Sequence, residues 1–493
     1  MQPSRARRRG AAALSLLDDV TASPVSRRRF LLTAPTAASS NTRTMASNSS
    51  DTNFPRLRRT LTLWDLILYG IIVIQPTAPM SVFGVLSERG HGHVVTTLLI
   101  AMVAMLFTAI SYGRMARAYP SAGSAFTYVS REINPALGYV TGWSMAMDYM
   151  LNPLICIIWC SKAAMNFAPG LPYWVWAVFF FLLFTGLNLR GIKTSARINS
   201  GLAAGMGMVI AIFFVAAARY VFGHPHDASG FFTRPFYDSE TFQVRAVLGG
   251  TSIAVLTYIG FDGISTLSEE AENPRRDILL ATVFTCLAIG ILSAIEVYAA
   301  QLIWPAAQPF PDIDTAYVHV AGRAAGAWFF LTVNLTLLVA NLGSGMGAQL
   351  GAARLLYGMG RSNALPKSFF GAVDPKRHIP RNNVIFVGVV ALLGAFVLSY
   401  GLGAEMLNFG ALIAFMGVNA ASFTRHFLRV KEKRLTNLIP PVAGFLICLL
   451  LWLNLSSPAK IAGMIWMTAG IAFGAWKTRG FRANLVDFEL PPE

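Results

Sequence analysis

Asp262 stands inside an apolar run between two glycines, in the string TYIGFDGISTLSEEAENPRRD at 257–277. Upstream, 247–259 is apolar enough to enter a bilayer, and Gly260 and Gly263 weaken the helix on either side of Phe261 and Asp262. A carboxylate at that depth costs about 2.5–3.5 kcal/mol on insertion scales, so it is expected to face a cavity or a partner. Two more carboxylates sit in apolar surroundings: Asp148, followed by Tyr149 and Asn152, and Glu296. Each has the chemistry to bind an amine or carry a proton, and for each the alternative is a structural hydrogen bond to a neighbouring helix. Asn341 and Ser344, in NLGSGMG, offer oxygens to a sodium ion or, alternatively, interhelical packing and hydrogen bonds. Glu269, Glu270 and Glu272 with Arg275 and Arg276 form a charge cluster fit to shut a gate by salt bridges, or to lie solvated.

A second interruption lies upstream, where LYGIIVIQPTAPMSVFG at 68–84 carries Pro76 and Pro79 in mid-run. Each proline removes a backbone hydrogen bond and crowds the preceding turn. A bilayer tolerates freed backbone groups only where protein or a watery cavity covers them, so Ile74, Gln75, Pro76, Thr77 and Ala78 are expected to line one; a simple proline kink is the alternative. The interruptions fall in the first and sixth apolar runs, the relation that five-span units repeated in inverted topology produce, and paired broken helices mark a binding site. A broken helix presents free carbonyls at the end of one half and free amides at the start of the other. Tyr258 to Gly260 is thus the candidate seat for an ammonium group, with Asp262 beside it. The half-helix starting near Pro79 is the candidate seat for a carboxylate, if the ligand has one. Tyr258 and Phe261 either cover that ligand, with cation–π attraction of about 0.5–2 kcal/mol, or pack in the core.

The elements that must hold these groups follow from composition. Of 493 residues, 54% are hydrophobic and 13% charged, against roughly 25% charged in soluble domains, so the chain reads as an all-α polytopic membrane protein. Windows of about 20 residues give twelve apolar runs, at 61–86, 94–116, 136–167, 173–189, 196–222, 246–267, 279–304, 325–359, 384–400, 406–427, 438–455 and 461–476. Lys and Arg concentrate before the first run and after every even-numbered one, which predicts both termini on the cytoplasmic side. This distribution in short loops accounts for the net charge of +16 and argues against nucleic acid as a partner; the lipid bilayer is the expected one. The segment 305–324, with Pro305, Pro309 and Pro311, is long enough to cap an entrance from the opposite side.

Residues 1–53 read as a disordered basic tail. SRRRFLL at 26–32 resembles a twin-arginine signal, but the apolar stretch after it is short and broken by Pro35, and Met45 is an alternative first residue. Residues 477–493 read as a cytoplasmic tail. Cys156, Cys160, Cys286 and Cys448 all fall in apolar runs and read as buried thiols without disulfides. His224 and His226 carry no metal-ligand spacing, and no Ser-His-acid set, phosphate-cradling loop or zinc spacing occurs, so neither covalent catalysis nor ATP hydrolysis is expected.

Several strings together resemble the amino acid, polyamine and organocation transporters. YIGFDGISTLSEEAENPRRD (258–277) is similar to that family's sixth helix and following loop, SYGRMARAYPSAGSAFTYV (111–129) to its connection between second and third helices, AARLLYGMGRSNALPKSFF (352–370) to the end of its eighth, and LNFGALIAFMGVN (407–419) to its tenth. Within it the putrescine importer subgroup looks nearest, sharing GFDGIS, SAGSA, NFGAL and LPKSFFG. The resemblance implies a LeuT-like fold with the first and sixth helices broken. Two inverted five-helix repeats would span 61–222 and 246–427 and two further helices 438–476, the transporter domain covering 61–476. It also implies a non-enzymatic, ion-coupled importer of an amino acid or polyamine in the plasma membrane, working by alternating access on H+ or Na+. A cationic or diamine substrate such as putrescine is favoured by the number of buried acids. A neutral amino acid permease or exchanger, or a channel or sensor on the same scaffold, are the alternatives. Two departures stand out. The first helix has Gln75-Pro76-Thr77-Ala78 where many relatives have a Gly-rich break, and no lysine occurs near Met206 on the fifth run, where proton-coupled relatives often place one.

Overall fold

A computed structural model describes residues 60–478 and Gly480, apart from 121–123, 191–195, 227–229, 269, 362–364, 376, 378 and 432. The expected tails at 1–53 and beyond 480, the twin-arginine string and Glu269 lie outside the described residues. Those described form helices and no named strand. They are α1 (Leu63–Ile74), α2 (Ala78–Arg89), α3 (Val94–Ala118), α4 (Ser124–Glu132), α5 (Pro135–Phe167), α6 (Tyr173–Leu189), α7 (Ala196–Gly223), α8 (Val244–Ala254), α9 (Phe261–Thr266), α10 (Pro274–Ile303), α11 (Ala316–Ala325), α12 (Ala327–Arg361), α13 (Lys367–Phe370), α14 (Arg381–Val397), α15 (Tyr400–Phe423), α16 (Leu435–Leu453) and α17 (Ser457–Lys477). Among the described residues, eight helices are long and apolar enough to cross a bilayer, and the pair α1 and α2, bent by 46° at their break, makes a ninth candidate. The chain is a multi-pass membrane protein.

Local chemistry sets the helix starts. Thr62 and Asp65 form a reciprocal capping box at α1. Asn134 caps α5 by accepting from Leu137 N–H at 2.8 Å, with Pro135 in the first turn, where its missing N–H costs nothing. Ser399 and Ser456 cap α15 and α17 in the same way.

Contacts between loops divide into two sets. On the basic face, the backbone of Thr60 and Leu61 pairs with Glu270 and Glu272, Arg114 donates to the Thr436 carbonyl, and Arg377 to that of Leu189. On the opposite face, Thr96 donates to the Phe236 carbonyl, Lys162 pairs with Asp312, and Tyr298 donates to the Phe232 carbonyl. The segment 305–324 folds back over α2 there: Phe83 meets Phe310 and Tyr317 edge-on at 5.8 and 5.6 Å. All four cysteines are buried and free.

The sixth apolar run is interrupted as its glycines predict. α8 tightens into a 3₁₀ turn at Val255–Tyr258, the chain reverses hand at Gly260 (φ +121°), and α9 begins at Phe261. A methyl group on Gly260 would lie 3.1 Å from Val73 Cγ1 and 3.3 Å from Ile74 Cγ1, so the two breaks are in contact. Gly260→Ala therefore combines a disfavoured φ with a clash. It is expected to cost about 1–3 kcal/mol, read as a lower midpoint of thermal unfolding in detergent. Gly186→Ala, on α6, where a methyl meets nothing within 4 Å, serves as the control and leaves the midpoint unchanged or raised.

Candidate functional site

Asp262 sits in the first turn of α9, where one carboxylate oxygen accepts the Gly260 N–H at 3.2 Å. The side chain thus closes the break and brings a charge to it. Asp148, on α5, is held from behind by α15: a methyl group on Gly410 would run into the Ser144 carbonyl and lie 3.3 Å from Asp148 N. Only 6% of Asp148 and 5% of Asp262 are exposed. Each lies within electrostatic reach of the other, and the charge of Asp262 also reaches Tyr149, Tyr112, Tyr128 and Tyr69. Among the described residues, neither carboxylate pairs with a lysine, arginine or histidine. Burying one unpartnered carboxylate is expensive and burying two near each other more so, unless a cation arrives.

An aromatic wall stands beside the two acids. Tyr112 of α3 meets Phe261, Tyr128 and Phe415 edge-on, with centroids 5.5, 6.2 and 5.9 Å away, and Phe261 lies 5.4 Å from Phe415. The Tyr112 hydroxyl is buried with no hydrogen-bond partner. Tyr149 packs on Gly351 of α12, and Tyr69 lies next to Gly263. Tyr69, Tyr112, Tyr128 and Phe415 were not among the expected site residues. Three of them occur in the 111–129 and 407–419 strings, where spacing along the chain gives no sign that α3, α4 and α15 meet at Asp262. Tyr258, expected to cover a ligand, points elsewhere: its hydroxyl donates to the Leu98 carbonyl at 2.9 Å and its ring lies against Gly290 of α10. The 3₁₀ turn rotates it away from Asp262.

The first break is tied to α12 and α7. Gln75 has φ +69°, rare for a residue with a side chain, and its Nε2 donates to the Ala340 carbonyl at 2.7 Å. Asn341 donates to Ser81 Oγ at 3.0 Å, and Ser344 bonds Cys156, so both act here as interhelical hydrogen-bonding groups. Thr77 donates to Met206 Sδ at 3.8 Å, which sets the fifth-run position named above directly against the break. Ile74, Pro76 and Ala78 complete the segment, buried or half-buried. The start of α2 has few amides to offer an anion. Pro76 and Pro79 have none, Ala78 N–H is bonded to the Gln75 carbonyl and Met80 N–H to that of Thr77.

Glu296 lies apart from this cluster, fully buried on α10 beside Tyr317. The expected gate cluster forms no ion pair among the described residues. Glu272, Arg275 and Arg276 are exposed, and what docks the segment is the backbone pairing of Glu270 and Glu272 with 60–61. Charges pair at other places. On the basic face Glu132, at the end of α4, receives Arg425 at 2.6 Å, Arg429 at 2.8 Å and the Tyr119 hydroxyl at 2.7 Å. On the opposite face Arg89 of α2 meets Glu405 of α15 at 2.8 Å.

With this geometry in place, comparison with known proteins is informative. The family described as amino acid permease matches residues 77–488. The low-affinity putrescine importer PlaP of Escherichia coli (strain K12) is 35% identical over 450 residues, covering 89% of this chain and 98% of that protein. The branched-chain amino acid permease BcaP of Bacillus subtilis (strain 168) is 26% identical over 84% of this chain and 92% of its own length. Cationic amino acid transporter 4, vacuolar, of Arabidopsis thaliana is 25% identical over 74% of this chain and 62% of its own.

The unpartnered Tyr112 hydroxyl separates packing from recognition. Tyr112→Phe keeps the ring and deletes a buried group whose lack of a partner costs about 1–3 kcal/mol, so thermal stability should hold or rise. If the hydroxyl meets a ligand, half-saturation of uptake shifts to higher concentration; unchanged uptake would make Tyr112 a packing residue only.

Proposed function

The chain belongs to the amino acid permease family, and on that premise we propose that it is a secondary active carrier importing a cationic amine by alternating access. A diamine of the putrescine class is the favoured substrate. The observation that carries this reading is the buried pair Asp148 and Asp262, two acids within electrostatic reach of each other and without a protein cation. Two carboxylates exceed what one zwitterion needs, and at the start of α2 the amides of Ala78 and Met80 are consumed by their own turn while Pro76 and Pro79 have none, which leaves a substrate carboxylate few donors. The aromatic wall of Tyr112, Phe261 and Phe415 suits an alkyl chain between two ammonium ends. A relative named as a putrescine importer is similar over most of its length.

The architecture in this reading is twelve spans, two inverted five-helix repeats followed by two helices, with both termini cytoplasmic in the plasma membrane. Support comes from the basic loops gathering on one face and from the contact between the breaks of the first and sixth spans, which are equivalent in such a repeat. The coupling ion in this reading is a proton. Sodium is a hard cation that favours oxygen ligands, whereas around the first break the Gln75 amide already occupies the Ala340 carbonyl and a Met206 thioether faces Thr77. A neutral amino acid permease is the second reading, supported by the likeness to BcaP.

Asp262→Asn tests the proposal cleanly, because the amide oxygen can still accept the Gly260 N–H while the charge is lost. Saturable putrescine uptake into proteoliposomes should disappear and putrescine affinity weaken about thirtyfold or more, as for removal of one partner of a buried charge pair. Asp148→Asn should harm putrescine more than a monoamine. Undiminished putrescine uptake by a folded Asp262→Asn chain would remove the amine reading, and trans-stimulated counterflow by a neutral amino acid would establish its rival.

A further inference from the structure

The proposed amine seat leaves Glu296 unused. It is fully buried, and neither carboxyl oxygen has a hydrogen-bond partner. It lies seven residues from the Ile303 end of α10, about 10 Å at 1.5 Å per residue, on the side where 305–324 folds over α2. The group facing it from α11 is Tyr317, whose hydroxyl donates to the Glu296 backbone carbonyl at 3.4 Å and which lies within reach of the carboxyl's charge. Phe83 of α2 and Phe213 of α7 enclose Tyr317 at 5.6 and 4.8 Å and bring no titratable group. One turn below on the same face of α10, the Ser293 hydroxyl is also buried without a partner. Lower still, Met102 of α3 and Tyr258 lie against Gly290. Among the described residues, no cation and no second carboxylate acts on Glu296.

Those surroundings do not suit an amine. A second ammonium needs charge density of the kind Asp148 and Asp262 provide together, and neither of them acts on Glu296. They do not suit an isolated carboxylate ion either, since nothing compensates its burial; what fits is a carboxyl group with its proton. The chain leading into α11 is polar as well. After Tyr317 comes Thr315, whose buried hydroxyl has no partner, and then Asp314 beside Asp312. Burial pushes the Asp314 carboxyl up to about 6, with Asp312 and Glu88 acting in the same direction and Lys162 against them. Asp314 therefore carries a proton below about pH 6 and is ionised above it.

We propose that Glu296 is the site at which this carrier binds its coupling proton, exchanged with the face that bears the 305–324 segment when α11 lifts off α10. The inference rests on the transport reading. One proton joins a Glu296 carboxyl oxygen on one side of the membrane and leaves that oxygen on the other, once per substrate moved, and the amine seat is a separate place.

The test uses the full chain in proteoliposomes with labelled putrescine and the membrane potential clamped at zero. One proton per substrate across a one-unit pH gradient supports about a tenfold concentration ratio. The wild-type chain should reach that ratio. Glu296→Gln should abolish the accumulation and convert transport into exchange that no longer responds to pH; tenfold accumulation by Glu296→Gln overturns the proposal. A readout independent of transport is the infrared carbonyl band of a protonated carboxyl group. That band should shift in Glu296→Asp, so an unshifted band also overturns the proposal, including where the glutamine variant fails to fold. Absence of counterflow in the wild-type chain would instead count against the transport reading itself.

Discussion

Backbone groups freed inside a bilayer have no water to turn to, and the rest of this structure answers that constraint. Two helices are interrupted at membrane depth, and each freed group has to be met by protein. Gly260 N–H is met by Asp262, and Gln75, at the end of the first broken half, is anchored by its side-chain amide to the Ala340 carbonyl of α12. Where α8 tightens into its 3₁₀ turn, the Ser252 carbonyl accepts Asn408 Nδ2 of α15 at 2.7 Å. These bonds draw α12 and α15 to the breaks, and the absence of a side chain at Gly260 lets the breaks themselves touch. The residues that repair the backbone therefore lie beside the residues that carry the site's chemistry.

The same repair explains why charge is affordable at this depth. Asp262 serves the break with one oxygen, so its position is set by the helix it caps rather than by a protein cation. Asp148 arrives on a continuous helix, pressed forward by the close approach of α15 at Gly410. Because no lysine or arginine among the described residues neutralises either group, the pair retains its demand for a positive charge. Glu296 differs in both respects, having among the described residues no backbone donor and no second acid, and that contrast sets it apart from Asp148 and Asp262.

What could be read from the sequence was whatever depends on local physics. Gly260, Pro76 and Pro79 announce broken helices because their backbone chemistry acts within one turn, and the apolar runs announce helices by composition. Asp148 and Asp262 were recognisable singly, since any carboxylate in an apolar run is anomalous, but their proximity depends on how α5 and α9 pack. Tyr258 left two readings open, ligand cover or core packing, because the rotation introduced by four residues of 3₁₀ helix decides which way the ring points, and a periodic reading assumes continuous α-helix. The cluster at 269–276 looked like a gate because opposite charges lie close in sequence. In the fold Glu272, Arg275 and Arg276 reach into solvent, and the buried ion pairs form between residues hundreds of positions apart, as with Glu132 and Arg425.

Those ion pairs clamp both faces. α15 is involved at both ends: Glu405 in its second turn meets Arg89, and Arg425 and Arg429, in and just after the π-helical turn Thr424–Leu428 that follows it, meet Glu132. Glu405 is buried and holds one half-exposed arginine together with the Ser456 N–H at 3.1 Å. Glu132 is fully buried under two part-exposed arginines and the Tyr119 hydroxyl, with Arg425 also lying over the Tyr119 ring at 4.8 Å. The clamps thus share one design, a buried carboxylate under solvated cations, and differ in the number of partners each carboxylate holds. On the basic face the clamp joins α4 to a π-helical turn, a geometry that can yield by a change of register without unfolding α15.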